Sequence, residues 1–188
     1  MNRLTGIIGG IGAGKSVVCR ILEAMGYPVY DCDSRAKTIM DADTSIHDEL
    51  CAKIHPQAVR DGIIDRKLIS EIVFADSSRL EILNAIVHGH VLEDLRQWTA
   101  LQTVARCFVE TAIPKSSGLD RLLDDAWIVT ADDEERIARV TVRSHLTPQQ
   151  IKARIEAQSA EFSGLACPTY TLRNNPDTPL LPQINSLI

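Results

Sequence analysis

Eight consecutive residues, Gly9-Gly10-Ile11-Gly12-Ala13-Gly14-Lys15-Ser16, carry the clearest chemistry in the chain. They fit the pattern GxxxxGK[ST], which places backbone and side-chain donors around phosphate groups. Glycines let the backbone wrap an anion without Cβ clashes, so successive N–H groups face inward. A helix that opens directly after the loop adds its partial positive charge. Lys15 then reaches the β- and γ-phosphates of a nucleoside triphosphate, and the Ser16 hydroxyl is a ligand for Mg²⁺. Gly10, Ile11, Gly12, Ala13, Gly14, Lys15 and Ser16 are therefore the candidate nucleotide-binding residues, with Ser16 the candidate metal ligand. An incidental Lys-Ser after a glycine-rich turn spells the same letters. The strand before this one and the helix after it supply the context that the mechanism requires.

Two carboxylates, Asp31 and Asp33, follow the short apolar run Pro28-Val29-Tyr30. The carboxyl ends of strands are where open α/β sheets place ligands. Phosphoryl transfer to an alcohol needs a carboxylate that accepts the hydroxyl proton. An aspartate at this boundary also serves as the cap of a helix starting near Ser34, so the pair has a chemical and a structural reading. Arg136, Arg139 and Arg143, spaced i, i+3, i+7, stack three guanidiniums along one helix face. Such a face neutralises charge on a transferring phosphoryl group, or equally pairs with Asp132, Asp133 and Glu135 in solvent. Glu110, at the end of an apolar run, reads either as a water-mediated Mg²⁺ ligand or as an exposed strand-end carboxylate. Trp98 and Trp127 read as packing residues, His88 and His90 as polar helix residues facing different directions, and Asp65-Arg66 as a structural pair or a substrate contact.

The elements that must position these residues follow from apolar spacing. Residues 3–8 form a buried strand ended by glycines, and Lys15 to Met25 a helix stopped at Gly26. Residues 28–30 form a second short strand. Strand, loop, helix and strand begin a parallel sheet covered on both faces. From Ser34 to Thr99 the pattern is mainly helical, with the longest helix over 78–98. Strands are expected at 104–109, 126–129 and 168–172, and a charged helix from Asp132. Another helix opens at Thr147-Pro148, where Thr147 as cap and Gln150 three residues on form a start signal. A loop and short helix close the chain over 176–188.

Composition bounds the function classes. The chain has 188 residues, 45% hydrophobic and 24% charged, with a net charge of −5. That is enough for a buried core, and it excludes a disordered or fibrous chain. The acidic balance, with only two Trp, three Tyr and three Phe, argues against a nucleic-acid binder. Five scattered cysteines without a CxxC pair read as free thiols of a reducing cytoplasm. No signal peptide or membrane-spanning run is apparent, so the expectation is a soluble cytoplasmic protein, monomeric or a small homo-oligomer, with no nucleic-acid or membrane partner.

Taken together, the phosphate loop, Gly26-Tyr27-Pro28-Val29 and Asp31-Cys32-Asp33 make the chain similar to the dephospho-coenzyme A kinase family. The resemblance continues in Asp65-Arg66-Lys67-Leu68, Ala85-Ile86-Val87-His88, Arg139, Arg143, Arg154-Ile155-Glu156-Ala157-Gln158 and Asn174-Asn175. It implies a P-loop kinase of α/β fold: a parallel sheet flanked by helices (about 1–33, 101–138 and 165–188), a helical substrate segment (about 34–100) and a mobile lid (about 139–160). It also implies ATP and Mg²⁺ as cofactors and phosphorylation of the ribose 3′-hydroxyl of dephospho-coenzyme A, the last step of coenzyme A synthesis. On this reading Asp33 is the base, Asp31 orients substrate or hydrated metal, and Lys15, Arg139 and Arg143 act on the phosphates.

Several positions depart from the family pattern: Ile8, Gly89, Ser116, Arg136 and Ser144. Ser116 stands where a glutamate is usual, and Arg136 where glutamine is more frequent. Two other readings remain open beside the leading one. They are a P-loop kinase for a different alcohol, and an ATP-binding protein whose catalysis has degraded.

Overall fold

The protein is described by a computed structural model over residues 2–188. Its order is β1 (Arg3–Ile8), α1 (Lys15–Ala24), β2 (Val29–Asp31), α2 (Cys32–Ala42), α3 (Thr44–Lys53), β3 (Val59–Arg60), β4 (Ile63–Ile64), α4 (Arg66–Ala75) and α5 (Ser77–Ala100). After these come β5 (Arg106–Thr111), β6 (Asp125–Thr130), α6 (Asp133–Arg143), α7 (Pro148–Gln158), β7 (Thr169–Arg173) and α8 (Leu180–Asn185). The chain divides into two compact units, Met1–Tyr30 with Leu101–Ile188, and Asp31–Ala100.

The first unit is built on a five-stranded sheet of order β2-β5-β1-β6-β7. β1 pairs in parallel with β5 on one side and β6 on the other, and β6 pairs in parallel with β7. A parallel sheet with both faces covered demands near-continuous apolar strands. β1 meets that demand, since every residue from Leu4 to Ile8 is buried. The core gathers Ile7, Val18, Leu22, Phe108, Trp127 and Leu172. Trp127 is fully buried and meets Phe108 edge-on at 5.2 Å, which makes it a packing residue. Helix α1 stops where its glycine predicted, with the Gly26 and Tyr27 amides donating to the carbonyls of Glu23 and Leu22. β5 begins two residues later than apolar spacing suggested, because its ladder starts at the pair Arg3↔Arg106. α7 opens with the predicted capping box between Thr147 and Gln150.

In the second unit the 24-residue α5 packs against α2, α3 and α4. Arg35 grips Asp94 with two bonds of 2.9 and 2.6 Å, and His90 lies between Asp43 (3.3 Å) and Glu49 (3.0 Å). One element departs from the all-helical expectation. β3 and β4 form a two-residue antiparallel hairpin turned at Asp61 (φ 50°) and Gly62 (φ 75°). Asp-Gly is a favoured pair for a turn with two left-handed residues, and the flanking strands are too short to show alternation.

Candidate active site

Strand β1 is all backbone pairing until Ile8, which is aligned with Thr111; beyond it the chain can leave the sheet only at the carboxyl edge. There the loop turns back on itself, with the Ala13 amide donating to Gly10 O at 3.2 Å. Gly12 (φ 77°) and Gly14 (φ 95°) occupy left-handed backbone. At Gly12 a Cβ atom would also lie 2.7 Å from the Arg136 carbonyl oxygen, so only glycine fits between the loop and α6. Gly14 caps α1 without a side-chain bond, and no acidic residue lies in the first turn. The amides and positive dipole end of α1 are thus left for an anion.

Side chains of the same unit converge on this loop. The Lys15 ammonium lies 3.9 Å from Glu110, both mostly buried. Glu110 sits inside β5 opposite Ile7 and is mostly buried, so it is not an exposed strand-end carboxylate. Ser16 is exposed on the first turn of α1. Cys19 lies beneath, its thiol pushed far up by burial and then by the Glu110 charge, so it stays protonated. Asn174 donates from Nδ2 to Ala13 O (2.9 Å) and accepts from Arg139 Nη2 at its own carbonyl (2.7 Å). The second terminal nitrogen of Arg139, Nη1, is buried without a partner among the described residues, and a Cβ at Gly14 would lie 3.9 Å from it. A buried cationic donor without a protein partner is an exception that calls for a partner from outside the chain.

The three arginines do not act as one face. Arg136 turns its Nε to Ile11 O (3.0 Å) and Nη1 to Asp133 (3.1 Å). Arg139 lies 3.7 Å from Glu135 as well as meeting Asn174. Arg143 is exposed. The acidic pairing that composition suggested and the approach to the loop are therefore both present. Gln158, at the end of α7, accepts the Ile11 amide at 2.8 Å. Ile11, counted among the phosphate donors on its motif position, has this amide engaged by the protein.

Asp31 and Asp33 belong to the second unit, whose α2 starts two residues before Ser34. Asp31 is the cap of that helix: its carboxylate accepts the Asp33 amide (3.0 Å), the Ser34 amide (3.1 Å) and the Ser34 hydroxyl (2.7 Å). Asp33 sits in the first turn, exposed, with no side-chain hydrogen bond or ion pair among the described residues. Asp65 caps α4 through the Leu68 amide, while Arg66 pairs with Asp41 at 2.6 Å, so these neighbours do not bond each other.

Composition and spacing missed Asn174 and Gln158, which bond the loop, and the role of Glu161 beside position 116. The first two stand in segments that carried the family resemblance, which was their only signal. Glu161 accepts the Lys115 amide (3.0 Å), the Ser116 amide (3.2 Å) and the Ser116 hydroxyl. A carboxylate thus stands beside position 116 although the residue there is serine. Among the described residues no helix is long and apolar enough to cross a membrane.

A model of the CoaE dephospho-CoA kinase family matches residues 3–179. A dephospho-CoA kinase of Porphyromonas gingivalis is 36% identical over 184 residues, covering 97% of this chain and 91% of that protein. One of Thermus thermophilus is 33% identical, covering 91% and 82%. Among solved structures, TT1252 from Thermus thermophilus superposes with a TM-score of 0.74 at 31% identity, covering 94% of this chain and 90% of that one. A Campylobacter jejuni dephospho-CoA kinase shares the fold at 0.63 and 20%, with the same coverage. The chain therefore belongs to the dephospho-CoA kinase family.

Proposed function

We infer that this chain transfers the γ-phosphoryl group of ATP to the ribose 3′-hydroxyl of dephospho-CoA, releasing ADP and coenzyme A. Family membership carries the reaction, and the phosphate loop with its uncapped α1 carries its ATP half. The loop amides and Lys15 bind the β- and γ-phosphates. Arg139 turns its unpaired Nη1 to the oxygens that gain charge, and Arg143 approaches from the same helix. Asp33, bare of other partners, accepts the hydroxyl proton as the 3′-oxygen bonds to phosphorus and the bridging bond to ADP breaks. Asp31 fixes the first turn of α2 and so orients Asp33.

The donor set suits Mg²⁺, a hard cation that keeps waters and takes few protein oxygens. The Ser16 hydroxyl and, through water, the Glu110 carboxylate would hold it. The chemistry it supplies when bound is neutralisation of charge on the β- and γ-phosphate oxygens.

A coupled ADP-release assay with Mg-ATP tests this reading, run with and without dephospho-CoA and followed by product mass. Acceptor-dependent release with one phosphoryl group added to dephospho-CoA supports it. ATP binding without such release would move the chain to the degraded reading, and release with another alcohol only to the different-kinase reading.

A further inference from the structure

Ile11 is the third residue of the phosphate loop, and the α6–α7 hairpin holds it three ways. Gln158, at the last position of α7, accepts its N–H at 2.8 Å. Arg136, on α6, donates Nε to its carbonyl at 3.0 Å. The Ile11 side chain packs into the small core that joins the two helices, against Val140, Ile151 and Ile155. Arg136 is only 14% exposed and is braced by Asp133, while its backbone lies close enough to Gly12 that a Cβ there would not fit. The contacts reach 125 and 147 residues along the sequence, so no local preference produces them.

A loop residue whose amide and carbonyl are both held has one orientation, and the peptide units that follow inherit it. The same grip sets α6 against the loop, and α6 carries Arg139, one turn beyond Arg136. We propose that Arg136 and Gln158 are positioning residues which clamp the Ile11 backbone, presetting the phosphate loop for ATP and fixing the approach of Arg139. Ile11 is then the anchor of the hairpin rather than a phosphate donor. Neither side chain needs to touch the nucleotide; each acts through Ile11. The proposal rests on the assignment of Gly9–Ser16 as the ATP site.

The test uses the full chain as Arg136→Ala, Gln158→Ala and Arg136→Gln. ATP affinity is measured by titration calorimetry, KM for each substrate at steady state, and the thermal midpoint without nucleotide. Losing a charge-assisted or buried bond to the loop raises Kd and KM for ATP about ten-fold in each alanine variant. KM for dephospho-CoA stays within about two-fold, the scale of an unrelated surface change. Arg136→Gln, whose amide still donates to a carbonyl, recovers most of the loss. A merely structural role predicts a lower midpoint with both KM values raised together and no rescue by glutamine. That pattern overturns the proposal, as does ATP affinity unchanged within about two-fold in both alanine variants. A wild-type chain that binds no ATP defeats the loop assignment itself, and with it the clamp, before any variant is compared.

Discussion

The phosphate loop and the Asp31–Asp33 turn each lead from a strand of the same sheet into a helix, yet the two helix starts are finished in opposite ways. At α1 the cap is Gly14, no side chain accepts the first amides, and the loop is held from behind by Asn174, Arg136 and Gln158. At α2 the Asp31 carboxylate accepts two amides and a hydroxyl, so that helix start is satisfied within the chain. An uncapped start with a buttressed backbone is made to receive an anion. A capped start presents its first-turn residue at a fixed place, and here that residue is Asp33, whose carboxylate has no partner among the described residues. The two helix starts thus make contrasting uses of the same local geometry.

Breaking the open helix start has the largest effect. Lys15→Ala removes a contact present in both ground and transition states, so ATP affinity and turnover fall together. Affinity losses of about 10-fold and turnover losses of about 10²–10³ combine to roughly 10³–10⁴ in kcat/KM for ATP. Steady-state kinetics with varied ATP checks it; a change in KM alone would reduce Lys15 to uniform binding. Arg139→Ala removes the donor kept unpaired beside Gly14 and should lower kcat by about 10²–10³ with a smaller change in ATP affinity. Near-normal single-turnover rates would leave Arg139 as a partner of Asn174 and Glu135 only.

At the closed helix start, Asp31→Ala removes the cap and should cost about 1 kcal/mol in denaturant unfolding. Asp31→Asn, which caps as well, should cost a few tenths. Equal losses would show that the Asp31 charge, not its cap geometry, matters. The smallest effect sharpens the contrast at a distance from both turns. Asp43 and Glu49 are held below the usual carboxylate range, Asp43 first by the Ser45 hydroxyl and Glu49 first by Lys53, with His90 adding to both. Depressed carboxylates add stability above their unfolded values and lose it as pH falls through the folded ones. Unfolding free energy should therefore decline below about pH 4, and less so in Glu49→Gln. A pH-independent difference between the two proteins would sever the link.

What could be read from the chain divides along the range of the interactions. The phosphate loop, α1 with its Gly26 stop and the Thr147 capping box are legible, because each rests on residues within a few positions of one another. The hairpin at Asp61-Gly62 had a local signal, but two-residue strands give no alternation to read. Which aspartate caps the helix turned on where α2 begins: it starts at Cys32, two residues before Ser34, which makes Asp31 the cap. The Ile11 clamp and the Asn174 brace depend on segments more than a hundred residues away, which composition and spacing do not bring together. Arg136 shows the same limit. Its sequence position set it apart from the family pattern, and only the folded chain gives it a partner in Ile11.

The most direct measurement compares Asp33→Asn with Asp31→Asn in single-turnover phosphoryl transfer from ATP to dephospho-CoA. Each variant is near-isosteric, and asparagine preserves the cap at 31. Asp33→Asn should slow transfer by about 10²–10⁴, the range of a positioned general base, while Asp31→Asn stays within about ten-fold of wild type. Equal losses in the two variants, or a larger loss at Asp31, would contradict the division of labour between the cap and the base.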